Sequence, residues 1–170
     1  MKLSRRQFLF GAATLAALSA AAALIPQIGT YPPNELDLRY LSDREAHIYR
    51  ILGEWLLPPG GSLPGSGGDD ETIVRIDAMF ADLPQAQRIR LFGLPLLFEH
   101  GTGLDRFAAR RMTSLSPEAR EAYLRGWAES DNLIKIQLLA AIRTMYAFSY
   151  FERPDVLYAM GLSPHCRISS

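Results

Sequence analysis

The chain has 170 residues, 18 basic and 18 acidic, with a formal net charge of zero and one cysteine. Its only lysines are Lys2 and Lys135, so the clustered cations that polyanion binding needs are missing and nucleic acid is not an expected partner. A single cysteine excludes an intrachain disulfide, a c-type haem attached through Cys-x-x-Cys-His, and a cysteine-ligated iron–sulfur cluster.

The first 25 residues have three parts. Lys2, Arg5 and Arg6 form a basic start, residues 8–25 are uncharged and rich in alanine, and Ala20-Ala21-Ala22 offers small residues to a peptidase. The arginine pair in Ser4-Arg5-Arg6-Gln7-Phe8-Leu9 reads as a twin-arginine export signal, the address of proteins that leave the cytoplasm already folded. Cleavage near Ala22 or Ala23 is the first reading. A retained anchor is the second, because the 18-residue stretch approaches the roughly 20 apolar residues of a spanning helix. Loss of this segment takes Lys2, Arg5 and Arg6 and no acid, leaving 15 basic and 18 acidic residues and a formal charge of −3. The expected destination is the periplasm, with inner-membrane association if the anchor is kept.

Pro26, Pro32 and Pro33 make residues 26–41 read as an extended linker, and residues 42–170 read as a single helical domain. Ser42-Asp43-Arg44-Glu45 is a capping box, followed by Ile48, Ile51, Leu52, Trp55 and Leu56 at helical spacing. Pro58-Pro59-Gly60-Gly61 stops that helix, and residues 62–70 have the composition of a mobile surface loop. A second helix is expected from Asp69 or Asp70, turning Ile73, Ile76, Met79 and Phe80 inward and ending at Leu83-Pro84. Residues 85–100 are strongly apolar, but Gly93 and Pro95 predict a kink or two short helices.

After Gly101-Thr102-Gly103, residues 104–112 predict a short helix with Leu104, Phe107 and Ala108 on one side. Ser116-Pro117-Glu118 starts the next, which carries Ala119, Tyr123, Leu124 and Trp127. Residues 132–151 are apolar around most of the circumference, the pattern of a helix buried at the centre of a bundle; Lys135, Gln137 and Arg143 argue against a membrane span. Beyond Pro154, residues 155–160 predict a last turn or two, closed by Gly161. No stretch alternates apolar and polar residues as a strand would. The expected fold is all-α, an irregular or orthogonal bundle of about five to seven helices.

Candidate chemistry is sparse. His47, His100 and His165 lie far apart in sequence, and adjacent His165-Cys166 does not place two ligands toward one ion. Glu99-His100 before Gly101-Thr102-Gly103 suggests an acid–base pair beside a phosphate loop, but the βαβ setting of such loops is missing and a helix stop is the simpler reading. Ser114-Leu115-Ser116-Pro117 reads as a cap rather than a nucleophile elbow. Asp105-Arg106 and Arg110-Arg111 form either a partner-facing charge patch or a solvated helix face. Tyr146, Phe148, Tyr150 and Phe151 suit core packing, with Tyr150 and Phe151 near enough to the helix end to touch another subunit.

The arginine-pair signal, the capping-box helix ending in Leu56-Leu57-Pro58, and the closing run from Arg143-Thr144-Met145-Tyr146 through Arg153-Pro154-Asp155-Val156 to Met160-Gly161-Leu162 resemble the gluconate 2-dehydrogenase subunit 3 family. Where that family often closes on a glycine–tyrosine pair, this chain has Gly161-Leu162. The resemblance implies a small, exported, non-catalytic companion of a flavin-dependent dehydrogenase of the glucose–methanol–choline type. The large subunit would bind this chain in the cytoplasm, hold the FAD, travel with it through the twin-arginine translocase, and pass electrons to a cytochrome c subunit or a quinone. This chain would then hold no cofactor or metal and no catalytic residue, and Trp55, Trp127, Tyr150 and Phe151 are its candidate interface residues, since aromatics are enriched at interface centres. A stand-alone exported helical enzyme or small-ligand binder is the alternative, with Glu99, His100 and Arg106 in a deep pocket as its mark. A membrane-anchored assembly factor is the third reading.

Overall fold

A computed structural model describes residues 30–105 and 110–162, all helix and connecting loop without a strand among them. The arginine pair, Arg106 and His165-Cys166 lie outside the described residues. Six α-helices follow one another: α1 (Asp43–Leu56), α2 (Asp70–Met79), α3 (Gln85–His100), α4 (Pro117–Ala128), α5 (Leu133–Phe151) and α6 (Pro154–Ala159). The core lies where α2 and α4 pack on α5 and α1 packs on α3, and it is filled by Ile48, Leu52, Ile73, Ile76, Phe98 and Ile142.

The starts of the helices follow from local chemistry. In the capping box the Ser42 N–H donates to Glu45 Oε2 at 3.1 Å. Asp69 caps α2 by accepting from Thr72 N at 3.1 Å, Ser116 caps α4 with Pro117 at its first position, and Asn132 caps α5 by accepting from Ile134 N at 2.9 Å. Gly161, with φ of +74°, ends the run after α6.

Four sequence expectations change. Of the two outcomes expected at Pro95, a kink or two short helices, the second does not occur: α3 runs unbroken from Gln85 to His100. Proline has no N–H to give Leu91 O, the acceptor one turn back, and the buried Tyr49 hydroxyl reaches that carbonyl at 3.4 Å instead. Tyr49→Phe is therefore expected to cost about 1–2 kcal/mol in urea unfolding, because it leaves a buried acceptor unsatisfied while keeping the ring.

The glycine-rich loop is closed down onto the body in its second half, where Ser66, Gly67 and Gly68 are buried. Gly67 N donates to Leu57 O at 2.9 Å, Arg50 Nη1 to Gly68 O at 3.1 Å, and the Tyr150 hydroxyl to Pro64 O at 2.9 Å. Of the short helix expected over residues 104–112, the described residues are not α-helical: Gly101–Asp105 and Met112–Ser114 are 3-10 turns, with Met112 buried, and residues 106–109, with Phe107 and Ala108, lie outside the described set.

The fourth change concerns α5. It is not the all-round buried centre of the bundle, and it buries only one side, through Leu138, Leu139, Ile142, Met145, Tyr146, Ser149 and Tyr150.

Residues 30–41 have no regular structure, but they pack against the core through Leu36, Leu38, Tyr40 and Leu41. Buried Asp77 of α2 holds them by accepting from three consecutive backbone N–H groups, Arg39 at 3.0 Å and Tyr40 and Leu41 at 2.8 Å each.

Candidate functional site

The second side of α5 faces outward along its length. Leu133 is 42 % exposed, Ile136 46 % and Phe148 53 %, and Ala140, Thr144 and Ala147 are exposed on the same arc. These positions recur every three or four residues, so they form one stripe. The stripe is largely apolar, and a run of exposed apolar residues of this kind on a small body marks a contact surface more often than scattered single residues do. Side chains left about half exposed forgo on the order of 1 kcal/mol each relative to full burial. Just beyond, Tyr158, Met160 and Leu162 are also at least 48 % exposed.

Beside the stripe, between the end of α1 and the C-terminal half of α5, lies a groove of about 330 Å³. Trp55, Leu56, Leu57, Tyr146, Ala147 and Phe151 line it together with Arg143. The guanidinium of Arg143 is exposed and makes no ion pair or hydrogen bond with any described residue. Arg143 is the only charged residue among those lining the groove; α5 contains no acidic residue, its one lysine, Lys135, sits 5.3 Å over the Trp127 ring, and exposed Glu54 and Glu152 adjoin Trp55 and Phe151 in sequence.

The four candidate interface aromatics separate into two pairs. Trp55 and Phe151 are half-buried and share this groove. Trp127 and Tyr150 belong to the interior, at 4 % and 3 % exposure: Trp127 stacks on Phe98 at 4.2 Å between ring centres, and Tyr150 meets Phe151 edge-on at 5.2 Å. Tyr146 is buried as well, whereas Phe148 stands out in solvent. The outward stripe could have been found by winding residues 133–151 at 100° per residue, which puts Gln137, Arg143 and Thr144 on one side.

A second polar cluster surrounds Glu99. Its carboxyl group is fully buried and accepts from the Tyr31 hydroxyl at 2.8 Å, Thr113 Oγ1 at 2.6 Å and Thr113 N at 3.1 Å. Arg111 lies 4.8 Å over the Tyr31 ring and donates to Thr30 O at 3.2 Å. This set ties the first described residues to the 3-10 turn at Met112. Thr113 and Tyr31 thus bond both carboxylate oxygens of Glu99 and tie it into a seam. A separate cleft of about 260 Å³ is lined by Pro32, Asn34, Asp43, His47, Arg50 and Asp70 among others, with neither Glu99 nor His100 in its wall.

His47 and His100 are partly buried around this cluster, and burial holds both imidazoles below their ordinary value, helped by nearby arginines and opposed by Glu99. The folded state therefore prefers neutral histidines while the unfolded chain protonates near pH 6.5. Their contribution to stability is complete above that pH and is lost as pH falls below it. The midpoint of urea unfolding is expected to drop between pH 7.5 and pH 5.5, and the His47→Gln, His100→Gln double variant to flatten that slope.

Among the described residues no group of three or more His, Cys, Asp or Glu is placed to hold a metal, and no helix is long and apolar enough to cross a membrane. Arg110, of the Arg110-Arg111 pair, is exposed. No protein-family model, curated protein or solved structure matches the chain.

Proposed function

We propose that the chain is the non-catalytic small subunit of a periplasmic flavin-dependent dehydrogenase of the glucose–methanol–choline type. It aids the export, assembly and stability of a large subunit that holds the FAD, and a cytochrome c subunit or quinone takes the electrons. The observation that carries this reading is the uncovered apolar side of α5 with the groove beside Trp55 and Phe151. A stable helical body with one such surface is what a subunit that works by contact requires, and the resemblance to the gluconate 2-dehydrogenase subunit 3 family supplies the kind of partner. The arginine pair supports the route, because the twin-arginine translocase accepts folded cargo and so lets one signal serve two chains.

The test is export of the partner. Replacing Arg5→Lys with Arg6→Lys in the native host is expected to leave the flavoprotein, and its dehydrogenase activity, in the cytoplasm. Normal periplasmic activity in that double variant would overturn the carrier role.

A further inference from the structure

The groove between α1 and α5 has apolar walls and a single charge at its rim. Trp55, Leu56 and Leu57 supply one wall, Ala147 and Phe151 the other, and Arg143 stands at the edge without a described partner. A surface of this shape suits an amphipathic helix, whose apolar side chains at i, i+3 or i+4, and i+7 enter a groove while its polar side stays wet. A guanidinium beside apolar walls loses water when the groove is covered, and that loss is offset only if the occupant brings a carboxylate to it.

We infer that the groove takes an amphipathic helix of the flavoprotein, with apolar anchors against Trp55 and Phe151 and an aspartate or glutamate opposite Arg143; this rests on the companion-subunit reading above. Charge separates this occupant from the alternatives. A second copy docked α5 against α5 would set Arg143 against a helix that carries no acid, and the acids nearest the groove in sequence, Glu54 and Glu152, are not among the residues that line it. A lipid surface selects an amphipathic helix with several cations on its polar side, and the outward side of α5 has one.

Photocrosslinking of the full chain in its native host tests this directly. The variant Ala147→p-benzoylphenylalanine places the probe in the groove, and Glu118→p-benzoylphenylalanine places it on the exposed start of α4 as a control. Position 147 is expected to crosslink to a flavoprotein segment with apolar residues at helical spacing and an acid within one turn. Adding Arg143→Glu is expected to lower that yield about tenfold, with Arg143→Lys keeping most of it. Circular dichroism establishes that each variant is folded, which an exposed site permits. A flavoprotein crosslink from position 118 but not 147 overturns the groove assignment and leaves the companion role standing. Loss of flavoprotein crosslinks from both positions overturns both, and a crosslink from 147 to lipid or to a second copy overturns the groove assignment. Unchanged yield in Arg143→Glu removes the carboxylate from the proposal and so contradicts it.

Discussion

Arg153→Ala is expected to destabilise the folded body by about 3 kcal/mol, measured as a shift of the urea midpoint at constant slope. Arg153 is only 4 % exposed and lies between α5 and α6. Its Nη2 reaches Asp155 Oδ2 at 2.7 Å and its Nε reaches Asp155 Oδ1 at 3.1 Å, a two-pronged pair. Nη1 bonds to Asp69 and lies 3.1 Å from Thr72 Oγ1, and the guanidinium stacks 5.4 Å over the Tyr150 ring. One side chain thus joins the cap of α2, the closed end of the glycine-rich loop and the start of α6. Alanine would leave Asp69 without its counter-charge beside the core. Because Asp69 and Asp155 remain partly exposed, water recovers part of the loss, which keeps the expected effect at the low end for a broken buried pair. Lysine offers a point charge in place of a fork and is expected to restore less than half.

The same cluster sets a sign for acid. Burial pushes the Asp69 carboxyl up, but hydrogen bonds from Arg153 and Thr72 and the backbone N–H groups of Ser66 and Thr72 outweigh it, and its value lies below the ordinary one. Asp155 is held below as well, first by its bond to Arg153. Their contribution is therefore complete above about pH 4, where both are ionised even in the unfolded chain, and is lost as pH falls through the folded values. Arg153→Ala is expected to remove this acid-side loss along with the stability itself.

Gly53→Ala is the second large effect, expected at about 2 kcal/mol net destabilisation even though alanine in a helix normally gains about 1 kcal/mol over glycine. Gly53 sits in α1 where the glycine-rich loop crosses it, backbone against backbone. A β-carbon at Gly67 would lie 2.5 Å from Gly53 O, and one at Gly53 would lie 2.7 Å from Gly68 N and closer still to Gly67 O. Neither obstacle is a side chain that can turn away, so the loop itself must lift. Lifting it breaks the bond from Gly67 N to Leu57 O and withdraws Gly68 O from Arg50. The expected readout is faster amide exchange across residues 65–69 together with the lower midpoint. An unchanged midpoint would show that the crossing is looser than the backbone approach indicates.

These two sites show what the sequence made legible and what it hid. Helix starts are written in neighbouring residues, so Ser42-Asp43-Arg44-Glu45, Ser116-Pro117-Glu118 and the acids at 69 and 70 placed α1, α4 and α2 without further help. Arg153 meets Asp69 across 84 positions and Asp77 meets the backbone of Leu41 across 36, and no local pattern announces pairings of that span. Glycines at 67 and 68 read as freedom because composition reports what a backbone can do; in the fold they allow a close crossing of α1 instead, whereas Gly65, at φ +73°, does use that freedom. That Pro95 does not split the helix was hidden for a related reason, since the hydroxyl that takes the freed carbonyl belongs to Tyr49 in a different helix. The surface of α5 was half legible. Its apolar residues were plain, but which arc faced the core depended on where α2 and α4 packed, and that placed Trp127 and Tyr150 inside and left Trp55 and Phe151 at the groove.

The central claim is that the outward side of α5 is covered by a larger flavoprotein when the chain works. Hydrogen exchange on material purified from the native periplasm, compared with the isolated chain, measures this at the residues concerned. Slower exchange at the exposed end of α5 and across residues 55–57, in a species that co-elutes with bound flavin, is the expected result. A solitary monomer with identical exchange in both preparations, oxidising a substrate unaided, would contradict it.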